Sequence, residues 1–226
     1  MGAAFGCCSK ERDKDKYVDG ENCPLEATPQ FGVDVSRVVC EADSKHKSRI
    51  PVVLTVLLNY LRCKNALQLE GIFRVSANDD ECISLQNQLN RTVSSPSSAQ
   101  QILELCNDVH CASTLIKRWF RELPVPVLSA IMGDIQTSLG QVDVGKLIFQ
   151  LPEPQQSLVL WFLDMCIEVN SYEAQNLMSI QNISLVMSPN LAPLNQNDPV
   201  EALTLSGKVQ SFIQYAIQWR AAQAKH

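Results

Sequence analysis

The stretch Ile50 to Leu61 constrains the fold more than any other part of the chain. Its apolar residues fall on nearly every face of a helix, and Pro51 suits a first helical turn. A helix with so little polar surface belongs in the middle of a core, so the rest of the chain must surround it. Cys82, Leu85 and Leu89 recur at helical spacing after Ser76-Ala77-Asn78-Asp79, which resembles a capping box with the helix opening at Ser76. Ser94 to Ser98 reads as a Ser/Pro loop. Cys111 to Leu123 is amphipathic, with Leu115, Ile116, Trp119, Phe120 and Leu123 in one stripe and Pro124 as its stop. Further helices are expected at 129–139, 155–169 and 173–187. A last one opens at Asp198-Pro199-Val200-Glu201 and runs to about Arg220. No alternating strand pattern and no internal repeat stand out. The expectation is an all-α fold, a single bundle, and 226 residues suffice for one such domain.

Residues 1–30 differ in character from the rest. Gly2, Gly6, Cys7 and Cys8 precede a mixed-charge run from Lys10 to Lys16 and a polar stretch to Pro29. They read as a poorly ordered tail. Met1-Gly2 followed by Cys7 and Cys8 fits N-myristoylation of Gly2 with palmitoylation of the cysteines, the two-signal arrangement that stable membrane attachment needs. Position 6 departs from that pattern, carrying Gly6 where Ser or Thr is preferred. The charges through Lys16 nearly cancel, four basic against three acidic, so electrostatics would add little. A plain flexible N-terminus is the alternative. The expected layout is this tail, a domain over 31–220 and a short C-terminal tail over 221–226.

Composition removes several function classes. The net charge of −5 argues against general nucleic-acid binding, which needs a basic surplus. No apolar run reaches the ~18 residues that would span a bilayer, and no secretory signal is visible. The nine cysteines lie at 7, 8, 23, 40, 63, 82, 106, 111 and 166 without a Cys-x-x-Cys pair. They read as reduced thiols of a cytosolic protein, neither a disulfide framework nor a zinc site. No metal and no cofactor are expected.

Two cationic features remain. Lys117 and Arg121 stand four apart on one helical face, flanked by Arg118. Like charges at that spacing cost a few tenths of a kcal/mol. Glu122 can pair with Arg118 but leaves the other two facing outward. Such a face either presents cations to something anionic or is simply solvated. Arg74 lies in Glu70-Gly71-Ile72-Phe73-Arg74-Val75-Ser76. Gly71 allows a tight turn, and Ile72 and Phe73 are apolar anchors for the core. Arg74 then projects from a short loop pinned at both ends, as an inserted catalytic arginine requires. An ordinary surface arginine is the plainer reading.

Three blocks carry a family resemblance. Glu70 to Ala77 resembles the arginine-finger motif of the Rho GTPase-activating protein (RhoGAP) domain. Leu115-Ile116-Lys117-Arg118-Trp119-Phe120-Arg121-Glu122-Leu123-Pro124 resembles that family's second block, and Ile183 to Leu191 its third. Phe31-Gly32-Val33 is similar to the usual domain opening. The resemblance implies a bundle of about eight or nine helices that binds a GTP-bound Rho, Rac or Rop protein and stimulates its GTP hydrolysis. It implies that Arg74 is the finger, that Lys117 and Arg121 brace the finger loop and contact the GTPase, and that Asn190 hydrogen-bonds at the same interface. It also implies a cytoplasmic signalling protein, peripheral to the plasma membrane where the tail is acylated. The second reading is a GTPase-binding adaptor of the same fold that stimulates nothing. Departures from the family pattern are Asn176-Leu177-Met178, which lacks a usual lysine, Ser188 in place of a glycine, and Ile183-Ser184 where Leu-Ala is usual. Asp108-Val109-His110-Cys111 and Asp198 to Leu203 look most like the plant Rop-directed branch.

Other motifs are set aside. Gly140 to Lys146 fits most of a phosphate-loop pattern, but Leu147 stands where Ser or Thr must hold magnesium, so it reads as an interhelical loop. Trp119, Trp161 and Trp219 read as core residues. His46 lies in a charge run expected to be solvated, and His110 has no visible acid–base partner.

Overall fold

The computed structural model describes residues 28–46, 48–137, 143–192 and 199–223. Within them lie ten α-helices: α1 (Val52–Cys63), α2 (Asp79–Thr92), α3 (Pro96–Glu104), α4 (Val109–Arg121), α5 (Met132–Thr137), α6 (Val144–Gln150), α7 (Gln155–Asn170), α8 (Glu173–Asn176), α9 (Ile180–Met187) and α10 (Pro199–Gln223). The all-α expectation holds. A two-stranded antiparallel hairpin, β1 (Cys40–Asp43) and β2 (Ser48–Pro51), precedes them. Strands of four residues are too short to display alternation. They are closed instead by turn chemistry, since the Asp43 carboxylate accepts the backbone N–H groups of Lys45 and His46 at 2.8 and 3.0 Å.

α1 is the central element. Val52, Val53, Leu54, Val56, Leu57, Leu58, Tyr60 and Leu61 are all buried. It packs against α3 and α4, and α10 covers α7, α9 and α6 on the other side. Ile50 belongs to β2 and Pro51 is the N-cap, so the helix starts two residues later than the apolar run suggests. Trp119 and Phe120 of α4 and Phe162 of α7 tie the two halves together. Phe120 meets Trp119 at 5.2 Å and Phe162 at 5.6 Å, both edge to face. Each such pair contributes about 0.5–1.5 kcal/mol beyond area burial.

Three local expectations need correction. The helix after the Arg74 segment opens at Asn78, whose side chain caps Glu81, and not at Ser76. The Ser/Pro stretch is a helix start: Ser95 and Ser98 form a capping box and Pro96 begins α3. The stretch 173–187 is two helices, because Leu177 turns left-handed at φ +57° and ends α8. Ser179 then caps α9. The periodicity of apolar residues continues across that break, so the pattern alone conceals it.

Two further readings change. His46 is not solvated: its side chain is 3% exposed and lies between Asp43 (3.1 Å) and Asp164 (2.9 Å). Asp164 also receives Arg220 and Lys45. In the phosphate-loop look-alike, Gly145 and Lys146 sit in the first turn of α6. A Cβ on Gly145 would come within 2.8 Å of the Trp219 indole nitrogen, so this glycine makes room for a ring and not for a phosphate.

Candidate functional site

The segment Gly71–Val75 forms a compact reversal between a 3-10 turn (Ala66–Gln68) and α2. Gly71 and Phe73 both adopt the left-handed region, at φ +70° and +68°. The Gly71 carbonyl accepts the N–H groups of Arg74 and Val75, each at 2.8 Å, which folds the turn on itself. Ile72 and Phe73 are buried in the core. Arg74 is left exposed at the tip. No described carboxylate forms an ion pair with it.

A left-handed phenylalanine costs about 1–2 kcal/mol, so something must hold it. The Lys117 ammonium, on α4, donates to the Phe73 carbonyl oxygen at 2.6 Å. This ties the residue before Arg74 to the middle of an amphipathic helix. Burial lowers the Lys117 pKa, and the neighbouring Arg121 charge lowers it further. The ammonium therefore has reason to seek a carbonyl.

Asn176 supplies the second hold, and sequence reasoning passed over it. Its backbone carbonyl accepts Gly71 N–H at 2.8 Å. Its side chain is fully buried and saturated: the amide donates to Leu67 O and Val169 O, and its oxygen accepts Met178 N–H, all at 2.8 Å. Its neighbourhood, Glu173-Ala174-Gln175-Asn176-Leu177-Met178-Ser179, is mixed, so nothing local marks Asn176 as buried. That stretch stood out only for a missing lysine.

Lys117, Arg121 and Asn190 come together. They line one groove of about 380 Å³ with Ser76 and Ala77, the residues that follow the Arg74 turn. Arg121 is exposed. Asn190 is 7% exposed, and its amide donates to Val186 O (3.0 Å) and Met187 O (3.4 Å), which caps the end of α9. Arg118 does not pair with Glu122. It donates to Gln86 Oε1 at 2.8 Å, and Gln86 passes the link to Glu122 through its own amide at 2.9 Å. Gly2, Cys7 and Cys8 lie outside the described residues.

An exposed arginine on a turn held from two helices stands beside a groove lined by three cationic side chains, Lys117, Arg118 and Arg121, and by Asp79. The RhoGAP domain family matches residues 51–196. Rho GTPase-activating protein gacA of Dictyostelium discoideum is 31% identical over 88% of this chain and 56% of its own length. Rho GTPase-activating protein 1 of Arabidopsis thaliana is 32% identical over 86% of this chain and 40% of its own length. The chain thus spans roughly half of each relative. The crystal structure of human Rho GTPase activating protein 15 shares the fold, with a TM-score of 0.68 at 20% identity over 86% of this chain and 92% of that one. This chain belongs to the RhoGAP domain family.

Proposed function

We propose that this chain is a GTPase-activating protein for Rho-family small GTPases and that Arg74 is its arginine finger. The partner, in its GTP-bound state, would hold the nucleotide and magnesium. Arg74 would enter that pocket and neutralise the negative charge that grows on the β- and γ-phosphate oxygens as water attacks. Such a finger is worth roughly 10³–10⁵ in rate, or about 4–7 kcal/mol of barrier. The planar, forked guanidinium is the group that suits this task, and lysine does not reproduce it.

The observation that carries the reading is the Lys117–Phe73 hydrogen bond at 2.6 Å beside an exposed Arg74. Catalysis by an inserted side chain gains little when the loop must be ordered at the moment of reaction. Here the backbone on either side of Arg74 is fixed within the free protein. Leu69, Val75 and Leu177 stand exposed around the turn and offer apolar area for docking. Arg121 and the groove residue Asn190 are the proposed polar contacts to the GTPase.

The test is single-turnover GTP hydrolysis by purified Rho, Rac and Rop proteins with and without the chain. Arg74→Ala is expected to cut stimulation at least about a hundredfold while binding to the GTP-bound partner persists. Undiminished stimulation by that variant rejects the finger. Binding without stimulation by the unaltered chain makes it an adaptor instead. The proposal extends to a cytoplasmic protein held at the plasma membrane by acyl groups on Gly2, Cys7 and Cys8. Mass spectrometry of the native N-terminus tests that part separately.

A further inference from the structure

We propose that Glu81, Cys106 and Cys111 form a binding site for one thiophilic divalent cation of the zinc type, with solvent taking the fourth position. Sequence spacing hides this cluster, because no two of these cysteines make a Cys-x-x-Cys pair. Three helix ends assemble it. Glu81 lies in the first turn of α2, Cys106 just past α3 and Cys111 in the first turn of α4, while Cys82 stands beside Cys111, sulfur to sulfur 3.0 Å, outside the ligand group.

The distances suit a metal. One donor atom each from Glu81, Cys106 and Cys111 lies within 4.8 Å of the others. The Cys106 sulfur is 3.6 Å from Glu81 Oε1. Tetrahedral zinc with bonds of about 2.3 Å sets its sulfurs about 3.8 Å apart. The Cys106 and Cys111 sulfurs lie within 4.8 Å of each other. The carboxylate is held in place: Glu81 Oε1 accepts Asn107 N–H at 2.8 Å and Asp108 N–H at 3.3 Å. Asp108 in turn accepts Asn78 N–H at 3.2 Å, so α2 and α4 are latched around the cluster. A groove of about 220 Å³, lined by Glu81, Leu85, Ile102 and Cys106, opens the half-buried Cys106 to solvent and provides an entry path.

Groups that would repel one another as anions are gathered at one point, and a divalent cation inverts that repulsion. Binding would replace each S–H proton with a metal bond and release the proton to solvent, with no electron transfer. A bound cation would fasten α2, α3 and α4 together just beyond the segment that leads from Arg74 into α2.

The test uses the full chain carrying Cys7→Ser, Cys8→Ser and Cys23→Ser, so that tail thiols do not contribute. It is stripped of metal under reductant and titrated with Co²⁺. The expected result is one equivalent bound, with thiolate charge-transfer and tetrahedral visible bands that Zn²⁺ displaces. Cys106→Ser and Cys111→Ser should each weaken binding at least about tenfold, as should the shape-preserving Glu81→Gln, whereas the exposed Cys63→Ser should not. Zn²⁺ should also raise the melting temperature of the stripped protein. Absence of a stoichiometric thiolate band in the stripped parent overturns the proposal. So does a band that survives Cys106→Ser and Cys111→Ser, or an intact mass showing a Cys82–Cys111 disulfide with no metal bound.

Discussion

The backbone carbonyl of Asn176 accepts the N–H of Gly71 at 2.8 Å, which joins two segments 105 positions apart in the chain (176 − 71) at the base of the Arg74 turn. The same residue's side chain closes three buried hydrogen bonds. The turn that presents Arg74 is therefore built from the far end of the fold as well as from its own neighbourhood.

Asn176→Ala should cost about 2–3 kcal/mol of stability, because it takes the donor from the Leu67 carbonyl and the acceptor from the Met178 N–H, while Val169 O keeps the Tyr172 N–H. Urea unfolding followed by circular dichroism measures it. A loss under about 0.5 kcal/mol would mean that water replaces the amide.

Lys117→Met keeps the apolar stem and removes only the bond to Phe73 O. Stimulated hydrolysis should fall about ten- to a hundredfold through misplacement of Arg74, while stability changes by about 1 kcal/mol. Equal losses in both measurements would assign Lys117 a purely structural role.

Gly71→Ala meets two obstacles. Its φ is +70°, and the added Cβ would lie 2.9 Å from Val75 Cγ2. A loss of about 2–4 kcal/mol is expected from the left-handed strain and the close contact together. Thermal unfolding of the variant against Gly133→Ala, at a glycine whose added Cβ meets nothing within 4 Å, isolates the effect.

Asp164 gives the fold an acid limit. Burial acts to raise its pKa, but hydrogen bonds from His46, Arg220 and Lys45 outweigh it and hold the carboxyl well below the usual range. A depressed folded value contributes stability above the unfolded pKa of about 3.9, and that contribution fades as pH falls toward the folded value. Asp164→Asn should lower the urea midpoint at pH 7 and flatten its decline below about pH 4. A variant curve parallel to the parent's through that range would contradict the assignment.

Much of this arrangement was legible in the sequence. The stripe on α4 and the saturated apolar surface of α1 require a helical core, and the spacing of Lys117 and Arg121 places both on one face. What stayed hidden depended on partners distant in sequence. The hairpin at 40–51 is too short for periodicity. His46 looked solvated because Asp164 lies 118 residues away. Phe73 is left-handed where the distant Lys117 ammonium holds its carbonyl, and no local composition announces that. Asn190 drew notice through family likeness, and its inward-facing amide could not have been inferred from spacing.

Gln30 carries a practical consequence. Its N–H meets the Asn90 side chain at 2.7 Å and its carbonyl receives the Trp119 indole N–H at 2.8 Å, upstream of where the family match begins. The folded unit therefore includes this lead segment. A fragment excised at residue 50 would leave an indole donor unanswered in the interior and strip β2 of its neighbour. Expression boundaries drawn from the matched range alone should yield a molecule that unfolds more readily than one beginning before residue 28.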